Sequence, residues 1–197
     1  MNKLMMALTI FTSLILTKDV FSTTSVEYVR TIKISGPISD LEMEKDKLLE
    51  YANKSSEPVY IIIDSPGGSV LAGLRFVQVM DRAKAKGVDI RCIVEGMAAS
   101  MAMHIFGNCS TRYAFETSLL LWHPAYMYIR GAPVTQQEAE RIKKQLHLIT
   151  ALLEERLKKE LNLPLEVYEE YYYNEYFVAG HILKSMSPNF MTIIQDY

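Results

Sequence analysis

Ser100 stands in the run Gly96-Met97-Ala98-Ala99-Ser100-Met101, between an apolar segment that reads as a strand and one that reads as a helix. A hydroxyl at such a junction sits at the positive end of a helix dipole and is placed to attack an electrophilic carbon. Small residues at Gly96, Ala98 and Ala99 let a substrate backbone approach, and the Met101 amide can face an oxyanion once the serine is acylated. A second amide donor is offered by Gly68 in Ser65-Pro66-Gly67-Gly68, because glycines leave backbone N–H groups uncovered in a turn. Each segment alone has a plainer use: Ser100 as a helix cap, Ser65 to Gly68 as a turn.

A proton acceptor is available in His123, which ends the run Leu119-Leu120-Leu121-Trp122 and precedes Pro124, a residue that cannot continue a ladder. An imidazole that titrates at about 6.5 can take the serine proton and return it to a leaving amine. His104, His147 and His181 read as structural. Ala98 and Ala102 flank Ser100, so the G-x-S-x-G elbow is absent and a lipase or esterase of the α/β-hydrolase fold is excluded.

These residues need a frame, and the sequence reads as alternating strands and helices. A strand is expected over Glu27 to Ser35 and a helix over Asp40 to Ala52. A continuously apolar strand over Val59 to Ile63 then leads into the first glycine turn. Ser69 caps a helix with the stripe Leu71, Leu74, Val77 and Met80, which Gly87 stops. Ile90 to Val94 forms the next strand, Glu95 to Ala99 a turn, and Ser100 to about Phe106 a helix. Strands follow around Arg112 to Phe115 and Leu119 to Trp122. This alternation is α/β, with both glycine-bearing turns at the carboxyl ends of parallel strands and open to one crevice. Thr135-Gln136-Gln137-Glu138 is a capping box for a long helix reaching Leu161, with Ala139, Ile142, Leu146, Ile149, Leu153 and Leu157 at helical spacing. A helix of that length is expected to turn part of its apolar face to another subunit. Pro164 restarts a shorter helix bearing Tyr168, Tyr171, Tyr172 and Tyr173, whose aromatic density reads as packing or interface.

The chain has 197 residues and a formal charge of -2, with no basic track for phosphates, so nucleic acid is not an expected partner. A body of this size buries a core without staples. Cys92 and Cys109 are too few for a four-ligand zinc site and read as buried apolar thiols. Met1-Asn2-Lys3, the apolar run Leu4 to Thr17 and polar Lys18-Asp19 have the shape of a signal peptide. Residues 1–22 are therefore expected to direct export and be removed, leaving one domain over 23–197; an uncleaved anchor is the other reading of that segment. The expected location is periplasmic or extracellular.

Ser65-Pro66-Gly67-Gly68-Ser69 with Ala72-Gly73, then Gly96 to Met101, then Trp122-His123-Pro124, in this order, resemble the ClpP-class serine peptidases over roughly Ile32 to Ile182. The resemblance implies a crotonase-like α/β spiral of βαβ units with a protruding handle helix. It also implies cleavage of peptide bonds in peptides or unfolded proteins, and assembly into homo-oligomeric rings. It makes Ser100 the nucleophile, His123 the base, and Gly68 and Met101 the oxyanion donors, with no metal or cofactor. The family's aspartate stands two residues before a phenylalanine. Here Phe177-Val178-Ala179-Gly180 puts Glu175 in that place, and Asn174 is the neighbouring substitute. A glutamate can orient the imidazole if its extra methylene fits. Lys143 and Lys144 on the long helix offer a Ser-Lys dyad as a minor variant. Few residues separate Thr23 from the first strand, so docking to an ATP-driven unfoldase is not expected, and the reading is an exported, ATP-independent serine endopeptidase. Two other readings remain: a ClpP-like assembly protein without activity, and a crotonase-type enzyme on acyl-thioesters.

Overall fold

The computed structural model describes residues 30–127, 131 and 133–196. The expected leader and the start of the expected first strand, residues 27–29, lie outside the described residues. In chain order the elements are β1 (Thr31–Ser35), α1 (Glu42–Lys54), β2 (Val59–Ser65), α2 (Val70–Ala85), β3 (Ile90–Ala99), α3 (Met101–Gly107), β4 (Thr111–Phe115), β5 (Leu119–Leu121), α4 (Gln136–Leu161), α5 (Leu165–Asn174), β6 (Val178–Ala179), α6 (Gly180–Met186) and β7 (Thr192–Ile194).

Five strands form a parallel sheet in the order β1-β2-β3-β4-β7, and β5 joins β3 farther along, with β6 antiparallel to β5. The mixed α/β fold with a parallel sheet matches the expected class. Ile61, Ile62 and Ile63 of β2 and Cys92, Ile93 and Val94 of β3 are all buried, as expected for central strands covered on both faces.

Three expectations change. The segment Glu95 to Ala99 is not a turn: β3 continues through it, pairing with β4 over Arg91 to Val94 and with β5 over Met97 to Ala99. The glycine and small residues that suggested a turn serve this change of partner. Ser118 fills the fork, its hydroxyl donating to the Val94 carbonyl at 2.8 Å and accepting from Phe115 N at 3.0 Å. In α2, Leu71 is exposed, and the inward face is Gly73, Phe76, Val79, Met80 and Ala83. A 3.6-residue period fits two adjacent stripes, and the sheet selects the one bearing Phe76.

The cysteines are the third correction. Cys92 and Cys109 are joined in a disulfide, with Cα atoms 5.9 Å apart. Seven-residue α3 brings the chain back beside β3, so two sulfurs far apart in sequence meet in one dry core. A loop of this length contributes about 3 kcal/mol in the chain-entropy account.

The long helix α4 has the expected capping box, with Thr135 accepting from Glu138 N and Glu138 reaching back to the Thr135 N–H. Its second half is anchored by Leu153, Leu157 and Leu161, whereas Leu148 and Leu152 are exposed. Arg156 ties α4 to α2 through Asp81 and to the end of α3 through Asn108. Burial alone would raise the Asp81 pKa, but hydrogen bonds from Lys84, Asn108 and Arg156 outweigh it and hold the carboxyl below its ordinary range. Of the tyrosines on α5, Tyr168 and Tyr172 are buried and Tyr173 is exposed, with Trp122 stacked against Tyr168 and Tyr171.

Candidate active site

Ser100 is the hinge between β3 and α3. Its backbone has φ 55 and ψ -125, a region that costs an L-residue about 1–3 kcal/mol, and its side chain makes no cap hydrogen bond. The plain helix-cap role is therefore not the one it plays. The Ser100 N–H donates to the Leu121 carbonyl at 2.9 Å, extending the β3–β5 ladder by one step. The register Ala99 opposite Leu121 then sets Ser100 and His123 at the mouths of adjacent parallel strands.

The first glycine turn packs directly on this hinge. Ser65, fully buried, donates its hydroxyl to the Gly36 carbonyl at 2.7 Å and accepts from Gly67 N at 3.1 Å. Ile38 is laced to the same turn, its N–H donating to Gly67 O and its carbonyl accepting from Ser69 N, both at 2.8 Å. Gly67 has φ +89, and a Cβ there would lie 2.6 Å from Ser100 Cβ and 2.8 Å from Met101 N. No other residue fits between turn and serine. Sequence reasoning singled out Gly68 and passed over Gly67, whose need appears only when the two segments meet. The Gly68 N–H has no hydrogen-bond partner among the described residues, and Met101 N is a first-turn amide without an intrahelical acceptor. The Met101 side chain is buried against Gly73, where a Cβ would come within 2.2 Å of its Cγ.

His123 is stacked on Tyr126, ring centroids 5.0 Å apart, and its Nδ1 lies 2.6 Å from the Pro124 carbonyl oxygen. A carbonyl can only accept, so Nδ1 carries the proton in this contact and Nε2 holds the lone pair of the neutral ring. That is the tautomer a general base requires. Among the described residues no hydrogen bond joins His123 to Ser100 or to Glu175. Glu175 follows α5 in a left-handed conformation, φ 55, ψ 42, and its side chain is exposed. Asn174 donates to the Glu170 carbonyl at 2.7 Å on its own helix.

His104, one turn beyond Ser100, is buried. Burial, aided by the nearby His123 and opposed by Glu154, lowers its pKa to about 4, so it is a neutral packing group at ordinary pH. From Pro124 a groove of about 620 Å³ runs along α4, lined by Ile142, Leu146, Thr150, Glu154 and Tyr172. Lys143 borders this groove, on the first half of α4. Glu154 is engaged there by Lys158 at 2.8 Å and by the Tyr172 hydroxyl. No cluster of three or more metal-ligating side chains occurs among the described residues.

The arrangement offers a strained, uncommitted hydroxyl, an imidazole with a free Nε2 on the next strand, two unoccupied amides beside the hydroxyl and an adjoining groove. Together these suit acyl transfer. Comparison with known proteins agrees with the geometry. The chain is 34% identical over 131 residues to the "ATP-dependent Clp protease proteolytic subunit" of Ligilactobacillus salivarius (strain UCC118), covering 63% of this chain and 64% of that protein. It is 40% identical over 76 residues to proteins of the same name from Streptococcus pneumoniae strains Hungary19A-6 and CGSP14, covering 36% of this chain and 37% of theirs. The chain thus spans less than two thirds of the length of these curated relatives. The family model described as Clp protease matches residues 17–180, most of the chain. On that match, the chain belongs to the Clp protease family.

Proposed function

We propose that this chain is a serine peptidase that cleaves peptide bonds through an acyl-enzyme on Ser100. His123 Nε2 takes the Ser100 proton as Oγ bonds to the scissile carbonyl carbon. The resulting oxyanion accepts from the Gly68 and Met101 amides. Collapse breaks the C–N bond, the amine leaves with the proton from His123, and water then repeats the sequence to release the acid and restore Ser100. Glu175 is the carboxylate that would stabilise the imidazolium. The observation that carries this reading is Ser100 itself: a non-glycine residue held at φ 55 with its hydroxyl uncommitted, against a turn where Gly67 allows contact. The groove beginning at Pro124 would take a substrate side chain.

The relatives' name is that of proteolytic subunits. For this chain we propose homo-oligomeric rings acting on unfolded or short peptides without nucleotide, since acyl transfer itself consumes none. Export is part of the proposal, supported by the Cys92–Cys109 disulfide, a bond that persists in oxidising compartments and is rare in reducing ones. Cleavage of residues 1–22 would give a mature chain starting at Thr23. The second reading, a family member that assembles without cutting, is favoured by the exposed Glu175 that makes no bond to His123.

A fluorophosphonate probe followed by peptide mass spectrometry separates the two. Covalent label on Ser100 of the folded chain, with peptide hydrolysis lost in Ser100→Ala at unchanged assembly, is the expected result. An unlabelled Ser100 in folded protein sinks the enzyme reading. The same spectra report the mature amino terminus, and assays with and without ATP report nucleotide dependence.

A further inference from the structure

Ser100 and the Met101 amide lie inside a covalent ring. The Cys92–Cys109 disulfide joins residues 17 apart, and the closed segment holds β3 from Cys92 onward, Ser100 and all of α3. Both cysteines are buried. Cys92 lies in mid-sheet, opposite Ile61 of β2 and Arg112 of β4, and Cys109 follows the α3 cap at Asn108. A backbone conformation like that of Ser100 persists only where its surroundings over-determine it. From the sheet side it is held by the bond to Leu121 and the contact with Gly67. From the helix side, α3 passes on whatever grips its far end. There Arg112 donates to the carbonyls of Gly107 and Cys109 at 3.0 and 2.8 Å, and Lys84 donates to the Asn108 carbonyl at 2.8 Å. The disulfide ties that same end to the start of β3, at its third residue, and it alone of these grips depends on redox state.

We propose that the Cys92–Cys109 disulfide is a positioning device for Ser100: oxidised, it keeps α3 in register with β3 and the hydroxyl in attacking geometry; reduced, it lets α3 shift and turnover fall while the fold persists. This rests on the reading of Ser100 as nucleophile. Cys109, although buried, borders a groove between α2, α3 and α4, the side from which a small dithiol would approach the bond. Its thiolate attacks one sulfur and the other leaves as a thiolate that takes a proton. The reagent's second thiol then displaces the first cysteine, so the protein gains two thiols and the dithiol departs as a cyclic disulfide. A displacement of about 1 Å at a reacting atom costs on the order of 100-fold in rate.

The test compares the full chain oxidised, reduced with dithiothreitol and re-oxidised, alongside a Cys92→Val/Cys109→Ala double variant. The readouts are kcat and KM on a fluorogenic peptide, the rate of fluorophosphonate labelling, and circular dichroism. Reduction should lower kcat and labelling at least about tenfold with KM within about twofold and an unchanged spectrum, and re-oxidation should restore both. The double variant should be slow in either buffer. Wild-type kcat and labelling in the reduced chain or the variant overturn the positioning role and leave Ser100 as nucleophile intact. Unfolding on reduction also overturns it, because the bond is then a general staple. Oxidised wild type that never labels at Ser100 removes the peptidase reading first, and this inference with it.

Discussion

The Nδ1–H tautomer of His123, which the proposed base needs, is held by its own neighbour's carbonyl, with Nδ1 2.6 Å from Pro124 O. A carboxylate is then left only the task of stabilising the imidazolium. Glu175→Gln should therefore cost less than about tenfold in kcat, whereas His123→Ala should cost about 1,000- to 10,000-fold, measured on one peptide substrate. Equal losses would show that Glu175 closes onto the ring during catalysis. At Gly67 a methyl group would press on Ala99 O, Ser100 Cβ and Met101 N from 2.5 to 2.8 Å, all rigid neighbours. Gly67→Ala should destabilise the chain by at least about 2 kcal/mol and abolish labelling, read by thermal unfolding and the probe. The places of Ser100, Gly68, Met101 and His123 at a strand-to-helix junction, a glycine turn and a strand end were legible in the sequence because these are local signals, whereas the roles proposed for them came from the resemblance. Gly67 was not, since its contact with Ser100 exists only after distant segments have docked, and the Pro124 carbonyl was not, since its approach to the adjacent ring is set by dihedral angles that residue types do not give.

At the scale of elements, β1 to β5 and α1 to α5 were expected from the sequence while β6, α6 and β7 were not, and the misreadings have physical causes. Glycine and alanine in Glu95 to Ala99 look like a turn when neighbours are unseen, yet they allow β3 to leave β4 for β5 without breaking. The α2 stripe was displaced because periodicity fixes a repeat and not which stripe meets the sheet. Helix α3 carries a pH dependence of its own. Folded His104 stays neutral until about pH 4, while the unfolded chain binds that proton near 6.5. The unfolded state therefore holds more protons in this window, and stability rises with pH across it. Acidification from about 6.5 to about 4 should remove up to about 3 kcal/mol. Melting curves at several pH values should show a shallower slope for His104→Leu than for wild type. Identical slopes would mean that His104 is hydrated.

For the whole molecule the unfinished surface is the middle of α4, where Leu148 and Leu152 are 63% and 57% exposed although the helix beyond them is anchored in the core. If rings form through this face, Leu148→Glu/Leu152→Glu should sediment as a smaller species with an unchanged spectrum; wild-type assembly in that variant would move the interface elsewhere. Helix length suggested in the sequence that part of α4 faces another subunit, but the stripe read there did not include Leu148 or Leu152. The disulfide gave no such notice, because pairing depends on α3 returning Cys109 to Cys92, a tertiary fact. Its existence also divides samples of this protein by redox history. The same chain kept under reducing and under oxidising conditions would be two distinct chemical species, differing by two hydrogen atoms, with separate mobilities on a non-reducing gel. Specific activity assigned to one would not describe the other.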